Sequence, residues 1–63
     1  MKRIQIEIEL ENEAFTGAAG WEVARICEGL MKKLRPQRRL LEGDYGRLID
    51  VNGNKVGKWE IKE

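Results

Sequence analysis

Nine residues near the start of the chain alternate between polar and apolar side chains. From Arg3 to Glu11 the order is Arg-Ile-Gln-Ile-Glu-Ile-Glu-Leu-Glu. Because successive side chains of a β-strand point to opposite faces, this order predicts a strand with one apolar face. A strand buried on both faces would be apolar throughout, so one face of this sheet should meet solvent or a partner. The residues expected to face the core are Ile4, Ile6, Ile8 and Leu10.

A helical repeat follows from about Ala18 to Leu34. Apolar residues recur there at spacings of three and four, which predicts an amphipathic helix packed on the sheet. Pro36 ends the helix, because proline biases the preceding residue away from the helical region. Phe15, in the turn-rich stretch before the helix, should plug one end of the core. The predicted apolar stripe consists of Ala19, Val23, Ile26, Cys27, Leu30 and Leu34.

The end of the chain carries a hairpin signal. Two segments that read as strands, Arg47 to Val51 and Val56 to Lys62, flank Asn52-Gly53-Asn54, and these turn residues tolerate the positive φ of tight turns. A three-residue turn groups Ile49, Val51, Gly57, Trp59 and Ile61 on one face, whereas a two-residue turn groups Leu48 with Trp59 and Ile61. We prefer the three-residue turn because it buries more apolar surface. Residues 37 to 46 form a long loop.

The element order predicts one α+β domain over residues 1–63, with a β-α-β-β layout. One helix covers one face of a three-stranded sheet, and placing the last strand between the other two makes every pairing antiparallel. A composition of 41% hydrophobic and 37% charged residues is typical of a folded chain with an ionic surface. No segment approaches the roughly 20 apolar residues of a membrane span, and the amino terminus lacks a secretion signal.

The residue inventory argues against catalysis. The chain has no histidine and no serine, so it offers no Ser-His-Asp, Cys-His or histidine-metal site. Cys27 is the only cysteine, which excludes an internal disulfide and suits a reducing cytoplasm. We expect it to be a small buried core residue. Residues 50–54 resemble the start of a calcium loop, but Lys55 and Ile61 replace the required glycine and glutamate. We expect a non-enzymatic protein without cofactor or metal.

Five basic residues, here called the basic cluster, fall within eight positions that contain no acid, although the net charge is only +1. Such a run is often a solvated helix end and loop. It is also where an anionic partner would bind, and Tyr45 or Trp21 could then stack on nucleic-acid bases. The basic cluster consists of Lys32, Lys33, Arg35, Arg38 and Arg39.

A second candidate site lies on the outer face of the helix. On a helical wheel Trp21 stands opposite the apolar stripe with Arg25, Glu28 and Lys32, and an exposed tryptophan beside arginine is typical of interface hot spots. Alternatively, Trp21 folds back against Phe15 or the loop. The candidate partner-binding residues are therefore Trp21, Arg25, Lys32, Lys33, Arg35, Arg38, Arg39 and Tyr45.

Two stretches carry a resemblance to known proteins. The first stretch is Asn12-Glu13-Ala14-Phe15 followed by Glu22-Val23-Ala24-Arg25-Ile26-Cys27. The second is the hairpin Leu48-Ile49-Asp50-Val51-Asn52-Gly53-Asn54-Lys55-Val56-Gly57-Lys58-Trp59-Glu60-Ile61. The chain resembles a family of very short, uncharacterised phage and prophage proteins with a strand-to-helix passage and an Asp-x-Asn-Gly-Asn-x-Val-Gly hairpin. The resemblance implies a fold and a viral or mobile-element setting, without an activity.

Together these features favour a small accessory protein, phage or prophage encoded, that binds a host or viral protein through Trp21, the basic cluster or the open sheet face. The alternative is a weak nucleic-acid-binding protein that uses the basic cluster. We also expect a weak homodimer, because apolar residues without a core position could be buried between two copies. Those residues are Trp21, Leu40, Leu41 and Tyr45.

Overall fold

The computed structural model describes residues 1–63, which form three strands and one long helix. In chain order these are β1 (Arg3–Ile8), α1 (Ala19–Leu34), β2 (Tyr45–Ile49) and β3 (Lys55–Lys62). A single 3₁₀ turn at Glu13–Phe15 precedes α1. None of these helices is long and apolar enough to cross a bilayer.

The three strands form one sheet in the order β1-β3-β2, and both pairings of β3 are antiparallel. The predicted α+β fold is confirmed, and so is the predicted position of the last strand between the other two. The helical connection from β1 to β2 leaves the place between them open, and the hairpin then brings β3 into it.

Seven buried residues make up the core between α1 and the sheet. Phe15 belongs to it, as the sequence predicts. From α1 the core takes two residues one turn apart, and β3 contributes three residues, more than any other strand. The core residues are Phe15, Ile26, Leu30, Leu48, Val56, Trp59 and Ile61.

Strand β1 is less buried than its pattern predicts. Ile4 and Ile6 lie opposite Ile61 and Trp59 in the ladder, so they face the side of the sheet that carries the core. Ile4 is nevertheless 41% exposed and Ile6 45% exposed, and Leu10 is exposed beyond the strand. The helix lies nearer to β2 than to β1 and leaves this edge of the sheet uncovered. The strand is confirmed, but the expected burial of Ile4, Ile6 and Leu10 is wrong.

The hairpin of β2 and β3 is confirmed, but the preferred three-residue turn is wrong. Residues 50–54 connect the strands, Ile49 and Val51 are exposed, and Leu48 joins the core. The reason is a β-bulge: Leu48 pairs with Gly57 while Ile49 pairs with Lys55, so Val56 is an extra residue on β3. The bulge directs Val56 into the core, where it is 3% exposed.

Cys27 is exposed, so the prediction that it is a core residue is wrong. The buried line of α1 runs through Glu22, Ile26 and Leu30, which are spaced by four residues. Since each residue turns an α-helix by about 100°, Cys27 lies on the flank of this line. Glu22 occupies a position on that line that an apolar pattern does not reveal.

We predict that Cys27 reacts with a small thiol reagent in the native protein nearly as fast as in urea. Cys27→Ala should change the free energy of unfolding by less than about 0.5 kcal/mol, as for an ordinary surface substitution. Ile26→Ala is the matched control, and its loss of core packing should cost about 2–5 kcal/mol. Slow modification of native Cys27, or a large loss of stability in Cys27→Ala, would show that the thiol is buried.

We predict that Gly53→Val destabilises the fold. Gly53 has φ +87°, a left-handed conformation that costs an L-residue about 1–2 kcal/mol and suits a β-branched residue least. For a domain of this size the melting temperature should fall by about 4–8 °C per kcal/mol. Gly29→Ala, in open space on α1, is the control and should raise stability by roughly 1 kcal/mol. Equal melting temperatures of Gly53→Val and wild type would contradict the turn conformation.

Candidate binding groove

A groove of about 200 Å³ separates α1 from β2 and is here called the α1–β2 groove. Ile26, Leu30, Leu48 and Trp59 line it with apolar surface. Three cationic residues also line it, and no aspartate or glutamate does. The cations are Arg25, Lys33 and Arg47.

The spacing of α1 residues shapes this groove. Arg25, Gly29 and Lys33 are four residues apart, so they follow one flank of the helix. Gly29 has no side chain, and a Cβ placed there would meet nothing within 4 Å. Arg25 and Lys33 therefore lie about one helical turn before and after Gly29, where the helix surface is open. Arg47 lies on the edge strand β2, where it alternates with Gly46 and Leu48, so its side chain leaves from the sheet face opposite the helix and borders the groove at the strand's edge.

Trp59 contributes the largest side chain of the groove wall. Its ring is buried, and its indole N–H is buried without an acceptor. Gly46, its cross-strand neighbour on β2, allows this placement, because a Cβ at Gly46 would overlap the indole nitrogen. A buried indole N–H normally has a hydrogen-bond partner, so this donor is an unused polar group in an apolar wall.

An ion pair with the buried Glu22 fixes the position of Arg25 at the groove. The Nε and one Nη of Arg25 donate to the two carboxylate oxygens of Glu22, at 2.8 and 2.9 Å. The same Nη also donates to the backbone carbonyl of Ile49, at 3.3 Å. Glu22 accepts a third hydrogen bond, from the backbone N–H of Val51 at 2.8 Å. Arg25 is therefore held in place by the fold, unlike the other two cations of the groove.

Asp50 closes the hairpin loop from inside. Its carboxylate accepts the backbone N–H of Asn52 at 2.9 Å and that of Asn54 at 2.8 Å. The side-chain amide of Asn12, from the segment before α1, donates to it at 3.2 Å. Asp50, the first residue of the stretch that resembles a calcium loop in sequence, thus binds the backbone of its own loop.

Both buried carboxyl groups have a lowered pKa. For Glu22 the hydrogen bond from Arg25 is the main cause, and it outweighs the desolvation that raises the pKa. For Asp50 desolvation is the largest single effect and raises the pKa. Hydrogen bonds from Asn54, Asn12 and Asn52 together have a larger effect and lower the pKa below its ordinary value. Glu22 in turn raises the pKa of the Arg25 guanidinium through their hydrogen bonds.

We predict that stability falls in acid through these two groups. Because their folded-state pKa lies below the unfolded value, the unfolded chain binds more protons, and their contribution is present above about pH 4.5 and lost below it. Glu22→Gln should be less stable at pH 7 and should lose less further stability between about pH 5 and pH 3. Urea unfolding across this range measures both effects.

The control for this acid dependence is Glu28→Gln, on the exposed side of α1. Glu28 forms no ion pair or side-chain hydrogen bond, so this variant should keep the wild-type dependence. If Glu22→Gln and wild type lose stability in parallel, the Glu22 ion pair does not contribute to acid unfolding.

The predicted hot-spot residue Trp21 is 85% exposed, so it lies on the outer face of α1 and does not fold back against Phe15. Arg25 follows it by one turn, but its guanidinium turns towards Glu22. Tyr45 is exposed at the start of β2. Its side chain alternates with those of Gly46 and Leu48, which places it on the sheet face opposite the helix. Trp21 and Tyr45 therefore belong to different surfaces.

The basic cluster is exposed throughout, and none of its five side chains forms a salt bridge or hydrogen bond within the chain. Only Lys33 lines the α1–β2 groove. Lys32 lies eleven residues after Trp21, which is about 16 Å along the helix axis. The candidate residues thus form a groove site, a helix end with its loop, and two separate aromatic positions, and not one patch.

Sequence reasoning missed the parts of the site that depend on contacts between distant segments. Arg47 and Trp59 border the groove only because the helix packs beside β2, and no local pattern states this. Glu22 did leave a signal, since it lies three residues before Arg25 and four before Ile26. Asp50 left one too, because an aspartate before Asn-Gly-Asn is suited to accept backbone N–H groups of a turn.

Comparisons with protein-family models, with characterised proteins and with solved structures find no match for this chain. The resemblance to phage and prophage proteins therefore stays a prediction.

Proposed function

We propose that this protein is a small non-enzymatic interaction protein that binds an acidic, partly apolar segment of another protein in the α1–β2 groove. The observation that carries this proposal is the lining of the groove, which combines apolar side chains with three cations and no acid. Apolar surface with a few placed polar groups is typical of a binding site.

The charges of the groove are available to a partner. Lys33 and Arg47 form no ion pair within the chain, whereas Arg25 is already paired with Glu22. An exposed ion pair contributes only about 0.2–1 kcal/mol, so charge alone gives selectivity and faster association more than affinity. The apolar wall must supply most of the binding free energy. This combination favours a short segment that alternates carboxylates with one or two large apolar side chains.

One further residue suits such a segment. Trp21 stands one turn before Arg25 on the exposed face, where a larger partner would cover it. Exposed tryptophan next to arginine is the composition of an interface hot spot. If the chain belongs among phage and prophage accessory proteins, the partner is a host or viral protein.

The test uses short synthetic peptides that place carboxylates on both sides of a central Leu or Phe, together with their lysine-substituted counterparts. We expect the acidic set to bind and Lys33→Glu to weaken binding about tenfold or more, because it turns an attraction into a repulsion. Fluorescence or calorimetric titration measures the affinity. Lys55→Glu, an equal change of charge at an exposed position outside the groove, should bind as wild type. Equal affinity of Lys33→Glu and wild type, or a preference for the basic peptides, would contradict the proposal.

A weak nucleic-acid-binding function is the second candidate, because the basic cluster is exposed and unpaired. Its affinity should fall steeply with salt, since phosphate contacts release counterions, and Arg38→Glu with Arg39→Glu should abolish it. Those two positions lie outside the groove, so the same double variant should still bind the acidic peptides. Electrophoretic mobility over a salt series separates the two functions.

A further inference from the structure

Strand β1 lies at the edge of the sheet and has one side without a partner. The backbone N–H of Glu9 donates to the carbonyl of Val56, so odd-numbered residues of this strand direct their backbone groups towards β3. In an antiparallel ladder the backbone N–H and C=O groups of the even-numbered residues then point away from β3. Ile4, Ile6 and Ile8 therefore present unpaired N–H and C=O groups along the free edge.

The same edge exposes apolar side chains. Ile4 and Ile6 face the helix side of the sheet, where they are 41% and 45% exposed. The flank of α1 that borders the α1–β2 groove is marked by Arg25 and Lys33. The opposite flank carries Met31, which is also exposed. An unprotected edge with apolar residues beside it is the usual template for pairing with another strand.

We propose that two copies of this chain associate by antiparallel pairing of their β1 strands around a two-fold axis at Ile6, which makes a continuous six-stranded sheet. In this register Ile6 faces Ile6 of the second copy, and Ile4 faces Ile8 twice. All three pairs use residues with free backbone groups, and each such pair exchanges two hydrogen bonds. The interface is isologous, as a two-fold dimer requires.

The charge pattern identifies a second copy of the chain as the occupant. On the other face of β1, this register sets Arg3 of each copy opposite Glu9 of the other, and Gln5 opposite Glu7. A strand with its cation at one end and its carboxylates at the other is complementary to itself only when the two copies run antiparallel. Opposite charges in directly facing positions stabilise strand pairing, and like charges destabilise it.

The neighbouring registers fit less well. An axis at Glu7 would place the two copies of that carboxylate directly opposite each other. An axis at Gln5 would pair Arg3 with Glu7, but it would set Ile8 against Lys2 and would match fewer isoleucines. The axis at Ile6 is the register that opposes every isoleucine with isoleucine and opposes no like charges between Arg3 and Glu9.

The test is sedimentation of wild type, Arg3→Glu and Glu9→Arg, each alone, and of an equimolar mixture of the two variants. Each single variant creates two like-charge pairs in its own dimer, and its dissociation constant should rise at least about tenfold. In the mixture the glutamate introduced at position 3 faces the arginine introduced at position 9, and the native Glu9 of one variant faces the native Arg3 of the other. A heterodimer should therefore form with an affinity close to that of wild type.

Both substitutions lie at exposed positions, and circular dichroism verifies that each variant is folded. Glu7→Arg is the matched control: it faces the neutral Gln5 and should dimerise as wild type does. A wild-type mass that stays monomeric up to about millimolar protein would overturn the proposal. So would single variants that dimerise like wild type, or a mixture that stays monomeric. If Arg3→Glu associates more tightly with Glu7→Arg than with Glu9→Arg, the register is wrong.

The peptide-binding test is independent of this result. The dimer joins β1 edges, whereas the α1–β2 groove lies at the other edge of the sheet. A monomeric chain could still bind acidic peptides, and a dimer would carry two open grooves.

Discussion

The hydrogen bonds of two buried carboxylates, Glu22 and Asp50, hold the parts of this small fold together. Glu22 joins α1 to the hairpin loop through Val51, and the Arg25 that it orients reaches the end of β2 at Ile49. Asp50 orders the loop and also ties it to Asn12, before the helix. The core has only seven buried apolar residues, none of them fully enclosed, so these hydrogen bonds add to the packing that fixes the helix on the sheet.

This attachment decides where the helix sits, and the position of the helix creates both surfaces of interest. Contacts to the loop and to Ile49 draw α1 towards β2. On that side the helix and strand leave a narrow groove with cations on its helix flank. On the other side the helix stops short of β1, so isoleucines that a centred helix would bury stay exposed at the edge. The groove and the uncovered edge are thus two consequences of one displacement.

Local sequence patterns were sufficient for the elements but not for every buried position or for the hairpin register. Alternation predicted β1, the repeat of three and four predicted α1, and Asn52-Gly53-Asn54 predicted the hairpin. Five of the six residues of the predicted stripe of α1 are buried or packed against the core, and only Cys27 is not. Burial of Glu22 was missed because it depends on Val51, which is 29 residues away. The hairpin register was wrong, because Asp50 lengthens the turn and the bulge at Val56 absorbs the extra residue. A count of apolar residues detects neither the burial of Glu22 nor the longer turn, since polar hydrogen bonds stabilise both.

The candidate site also has one part that could be predicted from the sequence and one part that could not. Exposure of the basic cluster follows from its charge and was predicted from the sequence, whereas helix periodicity left open whether Trp21 is exposed or folds back against Phe15. Arg47 and Trp59 join Lys33 only when β2 and β3 are folded beside the helix, so the groove could not be predicted as a unit. Its charges are also of a different kind from those at the β1 edge. Arg3 and Glu9 balance each other, which suits a surface that meets its own copy, whereas Lys33 and Arg47 are unbalanced and suit an acidic partner. Salt weakens the charge interactions of both surfaces. The β1 edge finds its opposite charges on a second copy of the chain, whereas the groove needs the carboxylates of a different protein.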